Sequence, residues 1–133
     1  MVDLLTAIVA RYNAAAGATL RAATPGGLHP RPAPQNTAFD HLTWELVSSP
    51  TDFTMSTDFD LPTVRFGIWT DKPSPATIMT TSKLLIALYL DVKLVVSGYN
   101  TIRADLTDQR EVPVDVLEEG RGYIVDFQYM IGK

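Results

Sequence analysis

The sequence predicts an α+β fold, with a mixed, mostly antiparallel β-sheet and two α-helices packed on one face. Three observations carry this. Residues 3–16 and the run "KPSPATIMTTSKLLIALYLDV" place apolar side chains at helical spacing. "HLTWELVS" and "TVRFGIWT" alternate apolar and polar residues, as half-buried strands do. The last forty residues hold several short β-rich runs separated by turn residues, so the order is helix, strands, helix, then a β meander.

In the first helix, over residues 3–16, Asp3 is placed to cap the start, and Leu5, Ile8, Val9 and Tyr12 form the apolar stripe. Ala14, Ala15 and Ala16 extend it and Gly17 offers a stop. The segment 24–38, "TPGGLHPRPAPQNTA", follows with four of the chain's nine prolines. Each fixes φ and removes a donor, so the segment is expected to run extended, near polyproline II, with room for a very short strand around Leu28 and His29. No two of these prolines stand three apart, so there is no PxxP ligand.

Across residues 40–48, Leu42, Trp44 and Leu46 face one way, and His41, Thr43 and Glu45 the other. Residues 49–62, bounded by prolines and rich in Asp and Thr, read as an acidic loop. It also carries Phe53, Met55 and Phe59; apolar residues in such a loop either mark a contact or tuck back onto the core. In the next strand Val64, Phe66 and Ile68 point inward and Arg65 outward. The second helix has Ser74 as N-cap and Pro75 at its first position, where a missing N–H does no harm. Ile78, Ser82, Leu85, Ile86 and Tyr89 make its buried face, with Leu84 and Leu88 alongside.

Four short strands are expected after it: "KLVVSG", "YNTIRADL", "EVPVDVLE" and "GYIVDFQYMI". Gly98, residues 107–109 and residues 118–122 separate them, and Pro113 confines its strand to an edge or a bulge. Tyr123, Val125, Phe127 and Tyr129 share one face of the last strand, Asp126 and Gln128 the other. The whole, residues 1–133, reads as one domain, with the Pro-rich arm 24–38 and the acidic loop 49–62 as extensions.

Chemistry is sparse. With no cysteine, disulfides, thiolate metal sites and Cys nucleophiles are excluded. A net charge of −4 argues against nucleic-acid binding through general electrostatics. The start "MVDLLTAIVARYN" has no positive n-region, and no apolar run is long enough to span a membrane, so the default expectation is a cytoplasmic protein with no membrane partner. Asp40, His41 and Ser48 or Ser49 could be imagined as a hydrolytic triad, yet strand neighbours point to opposite faces and no G-x-S-x-G elbow accompanies them. His41 therefore reads as a surface strand histidine. His29 lies twelve residues from His41 with no further ligand at metal spacing. Asp52, Asp58 and Asp60 lack the glycine and closing Glu of a calcium loop, and Gly26-Gly27 has the wrong context for a phosphate cradle. No catalytic, cofactor-binding or metal-binding residue is assigned, and no cofactor is expected.

Taken as a pattern, the amphipathic helix, "GGLHPRPAPQ", "HLTWELV", "VRFGIWTDKPSPATIMTTSKLLIALY" and the closing "YIVDFQYMI" resemble the tail-terminator and tail-completion proteins of tailed bacteriophages, the lambda-type tail-to-head joining proteins. The resemblance rests on element order over nearly the whole chain. It implies an α+β sandwich, no enzyme activity, and a homo-oligomeric ring, typically a hexamer, at the head-proximal end of the tail. Its implied partners are other copies of the chain, the tail tube protein and a head-completion or connector protein. DNA would pass through the lumen without sequence readout. The implied location is the virion's tail–neck region after assembly in the host cytoplasm. Leu28, His29 and Arg31 of the arm and Phe53, Met55 and Phe59 of the loop are the candidate subunit contacts. Two alternatives are a head-completion or neck adaptor, and a small hydrolase or ligand-binding domain built around His41.

Overall fold

A computed structural model of the chain describes residues 2–31, 33–34, 37–48, 59–60, 63–71, 75–90, 95–96, 99–112 and 121–132. Helix α1 (Val2–Asn13), a 3-10 turn (Ala15–Gly17) and helix α2 (Ala18–Ala23) precede β1 (Leu28–Pro30) and β2 (His41–Ser48). Then come β3 (Phe59–Asp60), β4 (Thr63–Thr70), helix α3 (Pro75–Tyr89), β5 (Val95–Val96), β6 (Tyr99–Glu111) and β7 (Arg121–Gly132). The strands form one seven-stranded sheet in the order β1-β2-β4-β7-β6-β5, and β3 joins the far end of β7. Among the described residues only the β1–β2 pair is parallel. The fold is α+β, as the element order implies, with α3 packed on β4 and β7.

Why the helices settle on that face follows from the pleat. Val64, Phe66 and Ile68 of β4 and Val125, Phe127 and Tyr129 of β7 alternate out to one side, all essentially without solvent exposure. Helix α3 answers with Ile78, Leu85, Leu88 and Tyr89, and the N-terminal helices add Ile8, Tyr12 and Leu20. The Tyr89 ring stacks on Phe66, while its hydroxyl donates to the Ile8 carbonyl at 2.7 Å, tying α3 to α1. Burial raises the Tyr89 phenol's pKa above its ordinary value, so that hydroxyl keeps its proton and remains a donor. Arg11 Nε also donates to the Leu88 carbonyl, and the Tyr12 hydroxyl bonds to Thr24 Oγ1.

Several expectations are corrected. The N-terminal helix does not run to residue 16 and stop at Gly17. It ends at Asn13, because Ala14 adopts an extended conformation (φ −75°, ψ 169°), and the chain then turns into α2. Among the described residues there are therefore three α-helices, not two. Gly17 is needed for closeness: a Cβ there would lie 2.2 Å from the Tyr12 carbonyl oxygen. Asp3 stands inside α1 rather than before it. Residues 107–109 do not separate two strands; β6 runs through them, absorbing the irregularity as a register shift between Leu106 and Asp108. The acidic segment contributes β3 at its end instead of being loop throughout. Ser74, Pro113 and most of the strand expected at 111–118 lie outside the described residues.

The very short strand expected around Leu28 and His29 is present. Leu28–Pro30 is a strand parallel to β2, held by Leu42 N–H on the Gly27 carbonyl and Arg31 N–H on the Trp44 carbonyl. Because Arg31 donates toward β2, the alternation turns Pro30, which has no N–H, to the outer edge, where no donor is missed.

Candidate interaction surface

The face of the sheet away from the helices carries the chain's ordered charges. Glu45 on β2 stands opposite Arg65 on β4, Arg65 opposite Asp126 on β7, and Asp126 opposite Asp108 on β6. Arg31, just past β1, comes beside Glu45 and bonds it at 3.2 Å. A single register row thus crosses the sheet as Arg31, Glu45, Arg65, Asp126 and Asp108. Arg110, one pleat along, pairs with Asp108 and comes within 3.9 Å of Asp126.

The centre of the row is its tightest part. Arg65 grips Asp126 with both arms of its guanidinium, Nε to Oδ1 at 2.9 Å and a terminal nitrogen to Oδ2 at 3.1 Å. The hydrogen bonds to Asp126 raise the Arg65 pKa, against a smaller opposing effect of burial. Asp126 is buried, so a carboxylate at this position needs its cation. Asp126→Ala is expected to lower the unfolding free energy by about 2 kcal/mol. Arg65→Ala combined with it should cost less than the two single changes summed, as measured by urea denaturation.

Beside the charges lies Trp69. Its indole rests over Gly67 and Gly122, where added Cβ atoms would come within 2.7 and 2.5 Å of the ring, and its Nε1 donates to Thr43 Oγ1 at 2.9 Å. The two glycines let the ring lie against the sheet. At the same end His41 is buried, not a surface histidine, because the residues of the 38–41 corner close over it. Its Nδ1 donates to the Ala38 carbonyl and its ring packs on Phe39. Burial lowers its pKa, with the Ala38 hydrogen bond pulling the other way and the neighbouring His29 reinforcing the drop. The imidazole is accordingly a neutral packing element near pH 7.

The other sequence-derived candidates are scattered. Leu28 packs against the core from β1. His29 Nε2 donates to the Gly26 carbonyl at 2.7 Å. Arg31 is exposed and joins the charged row. Phe59 lies in β3 opposite Gly132, whereas Phe53 and Met55 lie outside the described residues. Of the imagined triad, Asp40 precedes β2 and its backbone carbonyl accepts from Gly26 N–H, while the His41 ring turns to Ala38. Among the described residues no group of three or more acids and histidines could hold a metal ion. Among the described residues no helix is long and apolar enough to cross a membrane. An open apolar groove of about 580 Å³ runs between α1 (Leu5, Thr6, Val9, Ala10) and Trp44, and Leu46 and Val47 of β2 are exposed.

The charged row was missed by the sequence reading. Its charges stand on β2, β4, β7 and β6 and just past β1, and only the register brings the five into line.

No family model matches the chain, and no curated protein does. Among solved structures the fold is similar to that of a chain in "Virion of native gene transfer agent (GTA) particle", with a TM-score of 0.75. Identity is 14%, and the similarity covers 95% of this chain and 92% of that one. At this identity the likeness is one of fold, and it extends over essentially the whole of both chains.

Proposed function

We propose that this chain is a structural protein of a virion: a tail terminator that forms a ring at the head-proximal end of a phage tail, ends tail-tube polymerisation and joins tail to head. The observation that supports it most is the end-to-end fold similarity to a virion chain, which agrees with the family that the order of sequence elements resembles. Two features of the molecule suit the role. The polar face is a fixed framework of paired charges with no reactive group poised in it, and the net charge of −4 suits a lumen through which DNA moves without being held. The proposed partners are further copies of the chain in a ring, six being the expected number, the tail tube protein and the head-completion or connector protein.

The test is to polymerise the cognate tail tube protein with and without this chain. A terminator shortens the tubes and appears as a cap at one end; an unchanged length distribution with bare ends would exclude the role. His41→Ala should cap as well as the unaltered chain, whereas a hydrolase built on His41 would leave capping out of account altogether and lose its activity with that single change.

A further inference from the structure

We infer that the charged row is a seam between copies: Asp108 at the β6 side of one subunit meets Arg31 at the β1 side of the next, so that the row continues from subunit to subunit. This rests on the ring reading and names the two surfaces that would build the ring. Along the register row the signs run Arg31 plus, Glu45 minus, Arg65 plus, then Asp126 and Asp108 minus, with Arg110, one pleat along β6, pairing Asp108 and lying 3.9 Å from Asp126. Glu45 and Arg65 each have opposite charges on both sides, and Asp126 has Arg65 on one side and Arg110 on the other. The two ends have an opposite charge on one side only, and both end residues are 46% exposed. One end is positive and the other negative, so a neighbour placed edge to edge supplies to each what it lacks.

The edges themselves differ in the same sense. β5 pairs with β6 only at Tyr99 and Asn100, so from residue 101 to 111 the outer edge of β6 faces no strand among the described residues. The opposite edge, β1, is three residues long and turns Pro30 outward. Two unlike edges make a heterologous, head-to-tail contact, the kind that closes into a ring when the rotation permits. Charge is segregated to match. Residues 4–39, which supply α2 and β1, contain Arg11, Arg21 and Arg31 and not one Asp or Glu. Residues 105–119, which begin in β6, contain six carboxylates and the single base Arg110.

The experiment uses the absence of native cysteine. Within one chain positions 31 and 108 are separated by four strand spacings of ~4.8 Å, about 19 Å, far beyond the reach of a disulfide. An R31C/D108C chain, mildly oxidised, should therefore give a reducible ladder of covalent multimers, while R31C and D108C separately give no ladder. In parallel, R31E or D108R should raise the concentration at half-assembly at least about tenfold, and R31E/D108R together should bring it back. Because both positions are exposed, each variant is expected to keep the wild-type far-ultraviolet circular dichroism. Assembled protein that yields no ladder, or assembly indifferent to the reversals, overturns the seam and leaves the ring standing. A chain that neither assembles nor cross-links overturns both.

Discussion

Phe66→Ala is expected to lower the unfolding free energy by about 4 kcal/mol, the largest effect of any single truncation in this chain. Phe66 sits mid-sheet, opposite Trp44 on β2 and Val125 on β7, with no solvent exposure. Its ring stacks on Tyr89 at 5.0 Å between centroids and meets the edge of Phe127 at 5.9 Å. These are the contacts through which α3 rests on the sheet. Truncation would leave a cavity walled by two rings that are both held, Phe127 by the pairing of its backbone with both neighbouring strands and Tyr89 by the bond of its hydroxyl to the Ile8 carbonyl, so the site has little means of collapse. The aromatic geometry itself adds about 1 kcal/mol beyond the area lost. Urea denaturation reads the effect. Leu46→Ala, on an exposed position of β2, should change stability by less than about 0.5 kcal/mol. A Phe66→Ala loss comparable to that control would mean that the helix layer is held elsewhere.

Gly26→Ala is expected to be nearly as damaging, at about 3 kcal/mol, for a different reason. A Cβ at Gly26 would fall 1.9 Å from the Ala38 carbonyl oxygen and 2.8 Å from His41 Cβ. The first of these is backbone and cannot swing aside. Gly26 N–H also bonds the Asp40 carbonyl at 2.8 Å, so relief of the clash breaks the bond that closes this corner. Since the corner delivers β1 to β2, the register that sets Arg31 beside Glu45 goes with it, and assembly should weaken along with stability. The adjacent Gly27→Ala makes the comparison sharp. Gly27 has φ 86°, a left-handed conformation, but a Cβ there would make only ordinary contact, with His29 Nε2 at 3.5 Å, so its expected loss is only about 1 kcal/mol. If thermal or urea unfolding ranked Gly27 above Gly26, the packing of 26 against 38–41 would not be as described.

The parts of the fold legible in the sequence are those governed by local periodicity. The faces of β4 and β7 follow from strict alternation, and the start of α3 from a proline that tolerates only a first-turn position. What was not legible depends on neighbours far away in sequence. Thr107, Asp108 and Gln109 have turn-like composition, yet β6 pairs with ten residues of β7, Asp126 opposite Asp108 and Val125 opposite Gln109 among them, so the strand passes through. His41 has the pattern of an outward strand residue, but it is buried, its ring bonded to the Ala38 carbonyl and packed on Phe39. Gly17 looks like a helix stop and serves as a contact point. The charged row was out of reach for the same cause: Arg31, Glu45, Arg65, Asp126 and Asp108 span 96 positions of the sequence numbering, and register alone aligns them.

The most direct measurement of the central claim is the mass of the purified chain in solution over a wide concentration range, by light scattering after size separation. The ring reading predicts a discrete species that gains population with concentration and stops growing, at six times the 14.6 kDa chain for the expected hexamer. A mass of one chain at every concentration, or a mass that grows without limit, would contradict it.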